Sequence, residues 1–445
     1  MRLIGLVTGL FLSTLGGNVH AQVTGMVDVF GQASTADPTV LAARRDYEAI
    51  QQSVPEARGL YLPNVALTAD FTDTTQTINS SDNEVFGVGD ASFPTDVLTL
   101  SITQPLFRYA NIVQLKQAKA SVLEAGVRLV AAEQDLILRS ATRYLELLAA
   151  QDDLEFALAE QQAYEEQLAQ VEKRKQVGYA DATQVYESRA RFEFAKSTVA
   201  EAEGVLDDRM EALSELTGER PDQVQKLSET FPLTMPEPSD VKEWVAQANA
   251  ENLLLQARQH ALEVSGFEIK RQKAQYMPTL DLFVSSEQRT TEGSLFGGGS
   301  DVDTTDILVR LTAPIYQGGQ VRARKKTAEA RYEQARELVE LDRRSVQRQT
   351  RTAYLGVVNG VSKVNALKQS LESQSLTLES KNKGFKAGTS TNLEVLDAQR
   401  DLFLVRRDYA QAKYDYLISH LTLKSLVATL SIEDLEEVER FLVSG

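Results

Sequence analysis

The sequence contains no cysteine, so neither a disulfide framework nor a thiolate metal site can form. Basic residues are in the minority, with 47 lysines and arginines against 63 aspartates and glutamates, whereas a general nucleic-acid binder needs clustered positive charge. After residue 21 the only histidines are His260 and His420, each alone in helical sequence, and neither a Walker A motif nor a Gly-x-Ser-x-Gly elbow occurs. We therefore expect no enzyme, no cofactor, no metal site and no nucleic-acid partner.

Long apolar runs are scarce as well. One apolar run, Leu3 to Leu15, follows Arg2 and precedes Val19-His20-Ala21, whose small residues suit signal peptidase. These features predict a signal peptide over residues 1–21. No later run approaches the roughly 18 to 20 uninterrupted apolar residues of a membrane-spanning helix. We expect an exported chain that no helix anchors in a bilayer.

Proline is absent from two long stretches, between Pro105 and Pro221 and after Pro314. Because proline breaks helix interiors, and because both stretches are rich in strong helix formers, each stretch predicts long helices. Gly178 and Gly388 lie where each stretch would have to fold back on itself. A helix of some 65 residues would be about 100 Å long, which indicates coiled-coil packing or a helical barrel.

The two stretches are copies of one design. Without any gap, Gly178 aligns to Gly388 and Val185 to Val395, and each pair is 210 positions apart. The predicted divisions of the chain are a signal peptide (1–21), a first structural repeat (22–222), a proline-rich linker (223–240), a second structural repeat (241–430) and a short C-terminal helix (431–445).

Each repeat also contains a predicted strand hairpin, at about 64–104 and about 279–313. Side chains alternate along these segments; in the first, Leu67 and Phe71 point one way and Asp70 the other. Alternation alone fits a soluble sheet edge as well as a membrane strand. A bilayer tolerates only helices or closed barrels, and four strands are fewer than the about eight of the smallest barrels, so several chains would have to share one barrel.

Four short stretches resemble the signatures of the TolC outer-membrane channel family: Ala313-Pro314-Ile315-Tyr316-Gln317-Gly318-Gly319, Gly388-Thr389, Val395-Leu396-Asp397-Ala398 and Ala412-Lys413-Tyr414-Asp415-Tyr416-Leu417-Ile418. The resemblance implies an α+β membrane protein, a homotrimer in which four strands per chain close one twelve-stranded outer-membrane β-barrel. A long periplasmic α-helical barrel of coiled-coil hairpins would continue it.

The family's role implies the partners and the location. The chain would be a passive, gated exit duct in the outer membrane of a Gram-negative cell, serving tripartite efflux or type I secretion. It would contact outer-membrane lipid, a periplasmic adaptor and an inner-membrane transporter of the RND, MFS or ABC type. The rival interpretation is an exported coiled-coil scaffold or adhesin without a channel, which would leave the apolar strand faces unburied.

Glu394 and Asp397 are three residues apart and therefore share one face of a helix that starts just after Gly388. By the resemblance, both would line the periplasmic gate, where three chains would place six carboxylates that favour cations. The alternative is an acidic helix face that water solvates.

The family's gate is also held by bonds between neighbouring hairpins, and the positions that correspond here are Thr183, Gln184, Phe385 and Ser390. Ser390 replaces an arginine, Phe385 a tyrosine and Gln184 an aspartate, while the threonine is retained. Phe385 has no hydroxyl and Ser390 no guanidinium, so those bonds cannot form. We expect a closed state that other contacts hold, or that is held less firmly.

The two hairpin tips are, by the same resemblance, where the adaptor would meet the helical barrel. The residues concerned are Val177, Gly178, Tyr179, Ala387, Gly388 and Thr389. The alternative is that the two glycines serve only to turn the chain. Turning the chain and contacting the adaptor are compatible roles.

Overall fold

The computed structural model describes residues 24–80, 88–221, 223–228, 231–293 and 298–443. The predicted signal peptide lies outside these residues. The helices are α1 (Met26–Ala36), α2 (Pro38–Gln51), α3 (Ser53–Gly59), α4 (Tyr109–Gln176), α5 (Ala182–Thr217), α6 (Val241–Glu251), α7 (Leu253–Ala274), α8 (Gln320–Ala387), α9 (Asn392–Leu426) and α10 (Ile432–Glu439). The strands are β1 (Asn64–Ile78), β2 (Gly89–Phe107), β3 (Lys226–Leu227), β4 (Thr279–Thr291), β5 (Ser300–Thr312) and β6 (Leu442–Val443).

Two helical hairpins dominate the molecule. Hairpin 1 consists of α4 and α5, hairpin 2 of α8 and α9, and α4 and α8 have 68 residues each. At about 1.5 Å per residue, each of these two helices is roughly 100 Å long. Gly178 and Gly388 both have φ of 80°. This left-handed conformation often ends a helix, and glycine adopts it more easily than other residues. The returning helices are capped at equivalent positions by the side chains of Asp181 and Thr391.

The two strand hairpins lie side by side in one antiparallel sheet of order β1-β2-β4-β5. Residues directly opposite each other in such a sheet point to the same face. Val65, Ile102, Val284 and Ile307 stand in one such row across all four strands. The register therefore brings the apolar sides of both hairpins to the same face.

A large hydrophobic core joins the hairpins at mid-length, where Tyr144, Leu145 and Tyr414 are fully buried together with parts of α1, α6 and α10. A second, small core lies at the tips and contains buried side chains from both hairpins: Val171, Val185, Phe385 and Val395. The tips are thus packed against each other within one chain.

Several short elements differ from the sequence-based expectation. Two helices, α2 and α3, follow Asp37 in place of one, and Asn252, which caps α7, separates that helix from α6. The predicted C-terminal helix is shorter than expected. It ends at Glu439, because the buried Leu442 then pairs with β3, near the start of the predicted linker. Residues 229–230 of that linker lie outside the described residues.

None of the helices in the described ranges is long and apolar enough to cross a membrane.

Candidate functional site

The four-stranded sheet has one apolar and one polar face. The apolar face carries large side chains from every strand: Val65, Leu67, Phe71, Leu98, Leu100, Ile102, Leu280, Leu282, Val284, Ile307, Val309 and Leu311. Much of it is bare in the single chain, with Phe71 80% and Ile307 74% exposed. An apolar surface of this extent marks a contact with a partner or with lipid.

The opposite face carries polar and charged residues from the same strands. Ser101 stands opposite Ser285, and Ser285 opposite Asp306. Arg310 stands opposite Asp281 and places its guanidinium 4.9 Å from the centre of the Phe283 ring. This face is suited to water.

Exposed tyrosines mark each of the four places where a strand of the sheet meets a helix. They are Tyr61 before β1, Tyr109 after β2, Tyr276 before β4 and Tyr316 after β5, the last of which is 85% exposed. Tyrosine is enriched where membrane meets water, because its ring is apolar and its hydroxyl is polar. One edge of the apolar face therefore ends in an aromatic rim.

An ion pair with a buried carboxylate fixes the connection between sheet and helices. Arg108, which precedes α4, donates two hydrogen bonds to the carboxylate of Asp281 in β4, at 2.8 and 3.0 Å. The Asp281 side chain is only 8% exposed, and the paired geometry is the strong form of this interaction.

At the other end of the molecule, Glu394 and Asp397 lie in the first turns of α9, with side chains 46% and 41% exposed. Both carboxylates have cationic partners within the same chain. Lys381 lies 3.4 Å from Glu394, and Arg191 of hairpin 1 lies 3.0 Å from Asp397. The backbone N–H of Thr391 and the Lys381 ammonium lower the pKa of Glu394 below its ordinary value, so this carboxylate is charged at neutral pH.

Two of the four predicted gate-contact residues touch the other hairpin. Phe385 is buried among Val171, Val185 and Val395, and the Arg174 guanidinium lies 4.3 Å from the centre of its ring. The backbone carbonyl of Gln184 accepts a hydrogen bond of 3.5 Å from the Asn392 amide. Both contacts lie within one chain.

The other two gate-contact residues lie differently. Thr183 is exposed in the first turn of α5. Ser390 lies in the turn that precedes α9, where its backbone N–H donates to the carbonyl of Gly384 at 3.2 Å. The roles predicted for these two residues concern contacts between chains, which a single chain does not test.

The residues predicted to meet an adaptor are accessible. Tyr179 is 78% and Val177 67% exposed, and Gly178 and the tip of the second hairpin, Ala387 to Thr389, are exposed as well. Both tips point away from the sheet, at the far ends of α4 and α8.

Sequence reasoning missed a set of half-buried carboxylates along α4. Asp152 accepts a hydrogen bond of 2.7 Å from the Tyr414 hydroxyl, and Arg407 lies 3.5 Å from Glu160. Burial raises the pKa of Asp152, Asp153 and Glu160 above the ordinary range. The spacing of charged residues along α4 does not predict these contacts, because the partners lie in α9, more than 240 positions away.

Comparison with known proteins gives the family. The model of the outer membrane efflux protein family matches residues 29–219 and 244–429, which is most of the chain. The chain belongs to this family. The resemblance to TolC-like channels predicted from the signature stretches is thereby confirmed.

Several relatives within the outer membrane efflux protein family match over nearly their whole length. The outer membrane protein TolC of Vibrio cholerae is 30% identical over 441 residues, 98% of either chain. The alkaline protease secretion protein AprF of Pseudomonas aeruginosa is 28% identical, covering 100% of this chain and 92% of its own. The outer membrane channel CmeC of Campylobacter jejuni has a TM-score of 0.80 at 14% identity, covering 94% of this chain and 89% of its own.

The family settles the broad assignments. As a member of the outer membrane efflux protein family, the chain is an exit duct of the outer membrane that serves efflux or type I secretion, and its long helices lie in the periplasm. The fold predicted from sequence, long helical hairpins joined to a four-stranded sheet, is confirmed in that form. The family consists of transport proteins rather than enzymes, and the scaffold alternative is not favoured.

Proposed function

We propose that three copies of this chain close a single twelve-stranded barrel through the outer membrane and that their helices form one tunnel across the periplasm. The observation that supports this most strongly is the single apolar face shared by all four strands. In the four-stranded sheet, β1 and β5 are the edge strands, and each pairs with a neighbouring strand on one side only. Unpaired strand edges cannot lie in lipid. If β5 of one copy pairs with β1 of the next, the backbone groups of both edges are hydrogen-bonded. The apolar face of the closed barrel then points outward to lipid.

The lengths of the elements agree with this assembly. Apolar residues occur in five successive rows of this face, from Leu280 and Leu311 to Leu98, and these rows span about 27 Å along the strands at roughly 3.4 Å per residue. In the last two rows only β1 and β2 supply them, and β4 and β5 carry polar residues. The apolar band of outer-membrane barrels is about 25 Å tall. The polar face, which carries Asp306 and Arg310, would then line a water-filled lumen.

The duct itself contains no energy source, so an inner-membrane transporter and a periplasmic adaptor would drive and open it. The adaptor would bind the exposed tips, including Tyr179 and Ala387. Substituting Ala387→Leu should reduce export strongly while leaving trimers intact. Ser373→Leu, an exposed position about 20 Å away along α8, serves as the control. Loss of trimers in Ala387→Leu would instead show that this residue serves only to turn the chain.

At the tips, Glu394 and Asp397 of three chains would form the narrow, cation-preferring entrance. Conductance across a planar lipid bilayer tests both the duct and the ring. The purified protein should conduct ions with a preference for cations, and Glu394→Gln together with Asp397→Asn should lower the cation-to-anion permeability ratio about two- to fivefold. Absence of any conductance, with the protein in the soluble periplasmic fraction, would favour the scaffold.

A further inference from the structure

A buried side-chain amide ties the two hairpins together next to their tips. Asn392, the first residue of α9, is only 2% exposed. Its carbonyl oxygen Oδ1 accepts a hydrogen bond of 2.7 Å from Nε2 of Gln167 in α4. Its Nδ2 donates to Oγ of Ser188 in α5 at 3.0 Å and to the backbone carbonyl of Gln184 at 3.5 Å. One residue of hairpin 2 is thus bonded to both helices of hairpin 1.

The turn of the chain does not require an asparagine at this position. Thr391 caps α9 by accepting a hydrogen bond from the Glu394 backbone at 3.2 Å, which leaves the Asn392 side chain free to enter the interior. The equivalent position in the first repeat, 210 residues earlier, is Ala182, which is exposed and follows a capping Asp181. The two tips are built alike, and at this position only the second one has a buried amide.

The partners of Asn392 are as well buried as the amide itself. Gln167 is 5% exposed and Ser188 is fully buried. The apolar tip core adjoins this cluster along the chain, since Val171 lies one turn beyond Gln167 in α4 and Val395 one turn beyond Asn392 in α9. Polar groups between the two hairpins hold them together less strongly than apolar side chains would. When the hairpins separate, however, water can replace the hydrogen bonds of these groups at small net cost. Such chemistry suits a surface that must separate and close again.

We propose that the Asn392 amide is the reversible fastener that holds hairpin 2 against hairpin 1 of the same chain when the periplasmic end is shut. This proposal rests on the proposed function, since a duct that opens at its tips must move the hairpins apart. The fastener takes the place of the bonds that Phe385 and Ser390 cannot make. Asn392 therefore acts as a positioning residue of the gate.

Two arginines of hairpin 1 also contact hairpin 2 at this end, and their contacts differ in kind from those of Asn392. Arg174 lies over the Phe385 ring, and Arg191 bonds to Asp397 at 3.0 Å. The side chains of this second pair are 31% and 41% exposed, so salt screens the attraction between them. The hydrogen bonds of the buried Asn392 are neutral and shielded from ions, so their effect should persist at high salt.

The test measures the open fraction of single channels in planar bilayers at low and at 1 M salt. Asn392→Ala leaves Gln167 and Ser188 buried without this partner in the shut state, so the ratio of open to shut channels should rise about tenfold at both salt concentrations. Ser188→Ala, which removes one acceptor and little volume, should give a smaller rise in the same direction. Leu393→Ala, at the exposed neighbouring position, is the matched control and should leave the ratio unchanged.

The outcomes separate the two proposals. If the natural protein forms no channels, the proposed function fails, whatever Asn392 does. If the natural protein conducts but Asn392→Ala and Ser188→Ala both match Leu393→Ala, the fastener is overturned. A rise that disappears at 1 M salt would also overturn it, because the charged pairs would then hold the gate. Should Asn392→Ala lower the yield of trimers, Ser188→Ala alone decides between these results.

Discussion

Two neighbouring residues of β2 allow the orientation of the sheet to be tested directly. Leu100 lies near the middle of the apolar face, opposite Leu67 and Ser286, and is 44% exposed. Ser101, the next residue, points to the polar face. An arginine on the lipid-facing side of a barrel costs about 2 to 4 kcal/mol near the bilayer centre, whereas one facing the lumen costs little. Because a trimer carries three copies, Leu100→Arg should destabilise the inserted assembly by about 6 to 12 kcal/mol.

The assay is refolding of the purified variants into liposomes, followed by urea titration of the inserted protein. Leu100→Arg should insert poorly or unfold at much lower urea, and Leu100→Ala separates the effect of charge from that of lost volume. Ser101→Arg should insert as the natural protein does and alter only its conductance. Equal behaviour of the two arginine variants, or a greater defect in Ser101→Arg, would refute the assignment of the faces.

Three further predictions concern the helical part. Burial raises the pKa of Asp152, so its contribution to stability is present at low pH and lost as the pH rises through that pKa. Asp152→Asn, which still accepts the hydrogen bond from Tyr414, should therefore stabilise the fold at pH 8 but not at pH 3, as thermal unfolding at both values would show. Arg191→Gln removes one of the two arginine partners of Asp397 and should let a trivalent cation block the channel at several-fold lower concentration; an unchanged block would contradict a role for this carboxylate in the entrance. Gly388→Ala should lower stability by about 1 kcal/mol in urea unfolding, because its φ of 80° strains any side chain, whereas Gly204→Ala inside α5 should raise it.

The long elements could be read from the sequence because local signals determine them. Proline-free stretches of strong helix formers gave α4, α5, α8 and α9, and the glycines at the tips, of which Gly388 is one, gave the turns. Alternation of apolar and polar residues gave the four long strands. It even gave their faces, because the pattern has the same period as the side chains of a strand.

Contacts between distant segments could not be predicted from the sequence. The strand β6 forms only because Leu442 meets β3, more than 200 positions earlier, and two-residue strands have no pattern of their own. At the second tip, both Thr391 and Asn392 are of residue types that can cap a helix. Once Thr391 takes that place, Asn392 is available to bond Gln167 and Ser188, a consequence of packing that sequence spacing does not reveal.

In the proposed assembly, four strands from each of three identical chains close one barrel in lipid. Native mass spectrometry of the mature protein, released from lipid nanodiscs, measures the number of copies directly. We expect a single species at three times the mass of the chain, with lipid bound to it. A monomer that never enters nanodiscs would contradict the account, as would an assembly whose number of copies is other than three.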